Sequence, residues 1–131
     1  MTLSTSLSTA QHVAFVPIAD KDKALAFYRD QLGLNLIQDQ SPFALVFELN
    51  GTMLRATFAG DFKPQPFTIL GWKVAEIAAT VTGLTAAGVP FNRYPGLNDT
   101  HPLAIWTAPG GTQIAWFTDP FGNVLSLQQD A

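Results

Sequence analysis

Residues 12–20 read HVAFVPIAD, and this stretch decides the fold because a related one, FTILGWKVAE, stands at residues 67–76. Each is an apolar, strand-like run that ends in an acidic residue, Asp20 in the first and Glu76 in the second. An amphipathic run, a glycine and another apolar run follow both stretches. The order of strand, acidic turn, helix, glycine and strand therefore occurs twice. Two copies of such a module can enclose a cavity, so side chains facing that cavity are the candidate functional residues.

The first half carries the signals of one helix and a hairpin. Apolar side chains recur through residues 21–31 at the i, i+3 and i+4 spacing of a buried helical stripe. Asp20 can cap this helix and Gly33 can end it. Asn50 and Gly51 form a pair that favours a two-residue, type I′ hairpin between strands. The predicted strands in this half are residues 12–18, 43–49 and 53–58.

The second half repeats the plan, with a helix predicted over residues 76–87 and a loop over 95–102. Its predicted strands are residues 68–74, 89–94, 105–108, 113–118 and 124–128. The sequence therefore predicts an α+β fold in which two βαβββ modules form a cup from their mixed sheets. We expect a single domain over residues 1–131, with the first module at 11–59, a linker at 60–66 and the second module at 67–129.

Composition excludes several classes of function. The chain has 131 residues, 47% hydrophobic and 13% charged, with a net charge of −3. Its Lys and Arg residues are scattered, so no basic stripe for nucleic acid is expected. It has no cysteine, which excludes disulfides, zinc–thiolate sites and thiol catalysis and fits a reducing compartment. Without a signal-peptide pattern or a long apolar run, we expect a cytoplasmic protein with no membrane partner.

Several short motifs carry a family resemblance. They are VPIAD (16–20), ALAFY (24–28), LGL (32–34) and DPFGN (119–123), the last followed by Val124 and Leu125. Together they resemble the opening and closing motifs of the vicinal oxygen chelate superfamily, which contains glyoxalase I, bleomycin-resistance proteins and extradiol dioxygenases. The resemblance runs from about His12 to Gln128. It implies two βαβββ modules whose sheets form a cup, usually completed in a homodimer.

The same resemblance implies four metal-ligand positions, which this chain fills with Val13, Arg55, Leu70 and Ser126. Valine and leucine cannot ligate a metal, arginine repels a cation, and serine is a weak neutral ligand. We therefore expect no metal site and no cofactor.

The two histidines are not expected to replace the missing metal ligands. Strand alternation turns His12 away from the face of Val13 and Phe15, and His101 lies in the predicted loop, where we expect an exposed residue. The polar residues of the sequence form no recognisable Ser-His-Asp triad and no catalytic pair of carboxylates. No catalytic residue is assigned.

Aromatic side chains are expected to line the cup. Val13, Phe15 and Pro17 share one face of the first strand, and Leu70, Trp72 and Val74 share what we take to be the equivalent face of the fifth. Trp106, and either Trp116 or Phe117, add further walls. Apolar walls with a few polar anchors are typical of small-molecule pockets, although ordinary core packing uses the same residues.

Arg55 is the strongest candidate for a polar ligand-binding residue, because it stands in an otherwise apolar strand. A guanidinium is costly to bury unless it is paired, and its fork suits a carboxylate or phosphate. Its partner is Glu48 or an anionic ligand, unless it is a solvent-facing residue of an edge strand. The predicted ligand-binding residues are Phe15, Glu48, Arg55, Trp72, Trp106 and Ser126.

Two functions of different classes remain open. The first is a metal-free protein that binds a small apolar or aromatic molecule, as the bleomycin-resistance resemblance implies. The second is a divalent-metal-dependent lyase or dioxygenase that uses a displaced ligand set. A protein–protein interaction module has no positive sequence feature in its favour.

Overall fold

A computed structural model describes residues 6–131, so part of the Ser- and Thr-rich lead at residues 1–10 lies outside the described residues. Eight strands and two helical segments follow one another. They are β1 (Val13–Ile18), α1 (Lys21–Ala24, continuing as a π-helical stretch, Leu25–Gln31), β2 (Asn35–Gln40), β3 (Ala44–Leu49), β4 (Thr52–Phe58), β5 (Thr68–Lys73), α2 (Ile77–Ala86), β6 (Trp106–Thr107), β7 (Gln113–Thr118) and β8 (Val124–Gln129).

The strands form two four-stranded mixed sheets of the same topology. The first sheet has the order β1-β4-β3-β2 and the second has the order β5-β8-β7-β6. In each, the first strand of the module runs parallel to the last, and the remaining pairs are antiparallel. The predicted α+β fold of two βαβββ units is confirmed.

Both sheets pack one face onto a shared hydrophobic core that also contains the helices. Phe27 and Tyr28 of the helical segment after β1 are buried there, and Ile77 and Val81 of α2 are buried with them. Because strand side chains alternate, the opposite face of each sheet points away from this core. We call it the open face of the first sheet or of the second sheet.

The helices begin in different ways. Asp20 caps α1 as predicted, since its carboxylate accepts a hydrogen bond of 2.9 Å from the backbone N–H of Lys23. Glu76 precedes α2 but makes no side-chain cap. The amide oxygen of Gln129 instead accepts from the N–H of Ile77 at 2.8 Å. The second cap is therefore supplied from the far end of the chain.

The predicted hairpin is confirmed, whereas one predicted strand is wrong. Asn50 and Gly51 both have positive φ, 38° and 91°, as a type I′ turn requires. Residues 89–94 form no strand: Phe91 makes an isolated bridge to β7, and the chain then leaves the sheet. Prolines at both ends of this segment lack the N–H that a strand ladder needs, so pairing resumes only at the short β6.

A buried polar network joins the two halves. Asp119, 5% exposed, accepts a 2.5 Å hydrogen bond from the Tyr28 hydroxyl. Its carboxylate also accepts from the Asn123 side chain and from the backbone N–H groups of Phe121 and Asn123. The Asn123 amide donates onward to the carbonyl of Pro17 at 2.8 Å. The closing motif therefore satisfies polar groups of the first module as well as its own turn.

No helix within residues 6–131 is both long and apolar enough to span a membrane.

Candidate functional site

An aromatic cluster lies on the open face of the second sheet. Trp116 sits between the buried residues Ala115 and Phe117 of β7, so its side chain projects from the opposite face. Trp106 of β6 stacks on it with ring centroids 6.1 Å apart, and Tyr94 packs edge-on at 5.5 Å. We call Tyr94, Trp106 and Trp116 the aromatic cluster. The sequence left Trp116 and Phe117 as alternatives for the wall beside Trp106; β7 places Trp116 on the open face and Phe117 in the core.

A concavity of about 360 Å³ opens beside the aromatic cluster. Trp116 and Tyr94 form one side of it, and Phe67, Leu97 and Val124 contribute further apolar walls. Phe67 and Leu97 are exposed, so this concavity is open to solvent. A shallow, aromatic-walled surface of this kind suits a flat apolar group.

The loop that carries Tyr94 and Leu97 is held by a buried asparagine. Asn98 is 1% exposed, and its side-chain oxygen accepts from the N–H of Tyr94 at 2.7 Å. Its amide group donates to the carbonyls of Asn92 and Ala104 at 2.9 and 2.7 Å. Because the side-chain amide bonds three backbone groups, the loop has a fixed shape and Tyr94 has a fixed position against Trp116.

Arg93 and His101 complete the same loop. The Arg93 guanidinium donates to four backbone carbonyls, the shortest bond being 2.6 Å to His101. The Nδ1 atom of His101 accepts from the N–H groups of Leu103 and Ile105 at 3.0 and 3.3 Å. His101 is therefore half-buried and bonded within its loop, rather than exposed as expected.

Ser126 lies on the same open face, beside the aromatic cluster. In register, it stands between Gly71 of β5 and Trp116 of β7. A Cβ atom added at Gly71 would approach the Ser126 hydroxyl oxygen to 2.7 Å, so the hydroxyl occupies the space that this glycine leaves. Ser126 thus supplies a small polar group next to the tryptophan rings.

The open face of the first sheet holds Phe15 and Arg55 side by side. Leu54 and Ala56 of β4 are fully buried on the core face, which places Arg55 on the open face. Phe15 of β1, 60% exposed, is its in-register partner, and Val46 of β3 is its partner on the other side. Arg55 is an inner-strand residue, so the edge-strand alternative for it is wrong.

Glu48 is a diagonal neighbour of Arg55, because it pairs with Met53 while Val46 pairs with Arg55. The ion pairs found within residues 6–131 are Lys21 with Asp39, Arg29 with Asp30, and Lys73 with Asp130. A pair between Arg55 and Glu48, one of the alternatives left open by the sequence, is not among them. Glu48 is exposed and instead lines a groove of about 580 Å³ between the modules.

Trp72 lies on the opposite side of the second sheet from the aromatic cluster. Leu70, Trp72 and Val74 pack against the core, and the Trp72 ring stacks on the buried Phe117 at 6.2 Å. The expectation that this face matches that of Phe15 is therefore wrong. The predicted correspondence between the two halves is one residue out of register in β5, and a shift of one residue exchanges the two faces of a strand.

Trp72 nevertheless borders two grooves. One, of about 210 Å³, lies on the helix side of the second sheet and is mostly apolar, with Leu32, Leu34 and Leu84 in its walls. The other is the groove that Glu48 lines between the modules. The six predicted site residues therefore fall into three places: Phe15 with Arg55, Trp106 with Ser126, and Glu48 with Trp72.

The four positions implied as metal ligands do not fit a metal ion. Val13 and Leu70 have no donor atom, and Leu70 packs against the core. Arg55 places a positive charge on the open face of the first sheet, where it would repel a cation. Ser126 offers one neutral hydroxyl. Within residues 6–131, no three His, Cys, Asp or Glu residues form a group that could hold a metal ion.

Comparison with known proteins agrees with this architecture. The family model of the Glyoxalase/Bleomycin resistance protein/Dioxygenase superfamily matches residues 9–127. The chain belongs to this superfamily. No curated protein matches it significantly.

Solved structures of superfamily members resemble the whole chain. Lactoylglutathione lyase from Agrobacterium tumefaciens is 19% identical with a TM-score of 0.72, covering 95% of this chain and 96% of its own. A superfamily member from Sphaerobacter thermophilus DSM 20745 is 24% identical with a TM-score of 0.69, covering 92% and 96%. A glyoxalase / bleomycin resistance protein from Catenulispora acidiphila DSM 44928 is 20% identical with a TM-score of 0.70, covering 92% and 98%. At these identities, the likeness shows the fold alone.

Sequence reasoning missed the contribution of the loop to the concavity. Tyr94 and Leu97 lie in a stretch rich in Pro, Gly and Asn, where neither strand alternation nor helical spacing indicates which side chains face the sheet. Phe67 was assigned only as the start of a module. Alternation in β7 places Trp116 and Phe117 on opposite faces of the sheet, but the burial of Phe117 in the structure is what identifies the face of Trp116 as the open one.

Proposed function

We propose that this superfamily member binds a small apolar or aromatic molecule on the open faces of its sheets. The observation that carries the proposal is the aromatic cluster beside a solvent-open concavity on the face opposite the core. Stacked and edge-on rings offer a large apolar area at low entropic cost. Ser126, the register partner of Trp116, adds a polar group to these apolar walls, as is usual in a small-molecule site.

A homodimer is part of this proposal. At one end of the open face of the first sheet, Val13 and Met53 form an exposed apolar patch, 40% and 36% exposed. Val13 and Met53 are in-register partners, so the patch is continuous across two strands. Contiguous exposed apolar surface favours association, and two-fold pairing is its commonest form in soluble oligomers. Light scattering should give twice the mass of one chain at micromolar concentration; the mass of a single chain would contradict the dimer.

The binding proposal is tested with 1-naphthamide, a neutral aromatic probe, followed by tryptophan fluorescence. We expect saturable binding to the wild type and weaker binding to Trp106→Leu, because this variant removes half of the stacked pair. Trp72→Phe is the discriminating control, since the Trp72 ring faces the core. Loss of binding in Trp72→Phe but not in Trp106→Leu would move the site to the grooves that Trp72 borders. No binding to any form would reject the proposal.

Metal analysis separates the proposal from the metal-dependent alternative. The four implied ligand positions lack a competent donor set, so the purified protein should contain far less than one equivalent of Zn, Ni, Mn or Fe per chain. A near-stoichiometric metal that survives dialysis would instead favour a lyase or dioxygenase with a displaced ligand set. His12, Glu48 and Gln128 would then be the residues to substitute. Mass spectrometry of co-purifying molecules on the same sample would identify the bound compound.

A further inference from the structure

Arg55 stands between two apolar neighbours on the open face of the first sheet. Phe15 lies beside it on β1 and Val46 lies beside it on β3. Val46 is buried although it belongs to this face, and Arg55 itself is half-buried. The Arg55 side chain thus projects from an inner strand between apolar neighbours, where an anionic partner would stabilise its charge.

No other cation of the described chain is placed in this way. Lys21, Arg29 and Lys73 each form an ion pair, and the Arg93 guanidinium is bonded to four carbonyls. Lys23 and Lys63 are exposed, where water solvates the ammonium group. Among residues 6–131, Arg55 is therefore the one partly buried cation for which no hydrogen bond or ion pair is found.

The neighbouring carboxylate does not supply the missing partner. Glu48 is diagonal to Arg55, a position that long side chains can reach, yet the ion pairs within residues 6–131 do not include these two residues. Glu48 is exposed and lines the groove between the modules. The guanidinium fork is left available to an external group on the open face.

The surroundings limit the kind of anion. A guanidinium binds planar, two-oxygen groups through paired hydrogen bonds, and carboxylates match that geometry. Arg55 is the one Lys or Arg in strands β1 to β4 and Glu48 is its diagonal neighbour, so a singly charged group is favoured over a phosphate dianion. The exposed ring of Phe15 beside the guanidinium offers a flat apolar wall for the rest of the molecule.

We propose that the ligand of this protein is a small aromatic or apolar carboxylate, held by the Arg55 guanidinium and packed against Phe15. This inference rests on the proposed function and adds to it the chemical class of the ligand. It also assigns Arg55 to recognition of the carboxylate group and Phe15 to recognition of the apolar body.

The test compares two probes of nearly the same shape, 1-naphthoate and the neutral 1-naphthamide, on the full-length protein. A hydrogen bond to a charged partner corresponds to about ten- to hundred-fold in affinity, so we expect 1-naphthoate to bind the wild type tighter by that factor. Arg55→Met should bring 1-naphthoate down to the affinity of 1-naphthamide. Arg55→Lys keeps the charge but loses the paired hydrogen bonds of the guanidinium. Its affinity for 1-naphthoate should lie between those of the wild type and of Arg55→Met.

Controls and a direct readout complete the experiment. Arg29→Met removes an exposed arginine paired with Asp30 and should leave the preference for 1-naphthoate unchanged. The Nε–H resonance of Arg55 should shift on addition of 1-naphthoate but not of 1-naphthamide. Thermal melts establish that each variant is folded, and Arg55→Lys keeps the test valid if Arg55→Met does not fold.

The outcomes separate this inference from the proposed function. Equal affinity of the wild type for both probes, or a preference for 1-naphthoate that survives in Arg55→Met, overturns the inference and leaves the proposed function in place. Absence of binding by either probe overturns both. Stability lost equally in Arg55→Met and Glu48→Gln, with 1-naphthoate binding unchanged, would assign Arg55 to a structural ion pair and also overturn the inference.

Discussion

Replacing Tyr28 by phenylalanine removes a single hydroxyl from the buried network that joins the modules. The Tyr28 ring remains, with its edge-on contact to Phe27 at 4.9 Å and its packing on Phe47, so no cavity forms. The Asp119 carboxylate loses one of four hydrogen bonds and keeps the other three. A hydrogen bond to a charged group is worth about 1.5–3 kcal/mol, and Tyr28→Phe should lower the free energy of unfolding by that amount.

Urea unfolding at pH 7, at one fixed protein concentration, measures this loss. Tyr94→Phe is the matched control, because the Tyr94 hydroxyl accepts only a 3.3 Å bond from the neutral Asn92 side chain. Its removal should cost less than about 1 kcal/mol. Equal losses in Tyr28→Phe and Tyr94→Phe would refute the reasoning, since they would mean that the bond to Asp119 contributes no more than an ordinary tyrosine contact.

The same residue predicts a pH dependence. Burial, and then the nearby Asp119 carboxylate, raise the pKa of Tyr28 well above its ordinary value. A raised pKa contributes stability that is fully present below the unfolded-state value, about 10 for tyrosine, and is lost as pH rises further. The stability difference between wild type and Tyr28→Phe should therefore be constant from neutral pH to about pH 10 and shrink above it. A difference that grows at alkaline pH would contradict this assignment.

Three further predictions concern single positions. Gly122→Ala should destabilise the fold by about 1 kcal/mol or more, measured by urea unfolding, because Gly122 has φ of +90° and an added Cβ would lie 2.7 Å from Pro64. Asn98→Ala should lower stability by about 1–3 kcal/mol and raise amide exchange across the loop that carries Tyr94, because three backbone groups lose their partner. The carboxyl of Asp39, bonded by Lys21 and Ser41, should titrate by NMR with a pKa of about 2, so its small stabilising effect should be present above about pH 4 and fade as pH falls towards 2.

Features that depend on neighbouring residues could be predicted from the sequence. The Asp20 cap and the hairpin at Asn50 and Gly51 are fixed by side-chain and φ preferences within four residues, and both are found as expected. The cap of α2 could not be predicted, because Gln129 reaches Ile77 from 52 residues away. The strand predicted at 89–94 was wrong because prolines and a loop compete there with sheet pairing.

In the candidate site too, features set by neighbouring residues could be predicted, and features set by distant residues could not. Arg55 and its strand were recognisable from local pattern, but its proximity to Phe15 follows from a parallel pairing between distant strands. Trp72 was placed on the wrong face by a one-residue error in aligning the two halves. The wall formed by Tyr94 depends on the bonds of Asn98 within an irregular loop, which periodicity does not report.

The network between Tyr28, Asp119, Asn123 and Pro17 also limits how the two halves can evolve. Each half supplies atoms that the other needs, so a fragment ending near residue 66 would leave the Tyr28 hydroxyl without its carboxylate. The aspartate motif occurs in the second module only. The corresponding hairpin of the first module carries Asn50 and Gly51 instead. Replacing the second half by a copy of the first would remove the Asp119 carboxylate, and replacing the first half by a copy of the second would remove the Tyr28 hydroxyl.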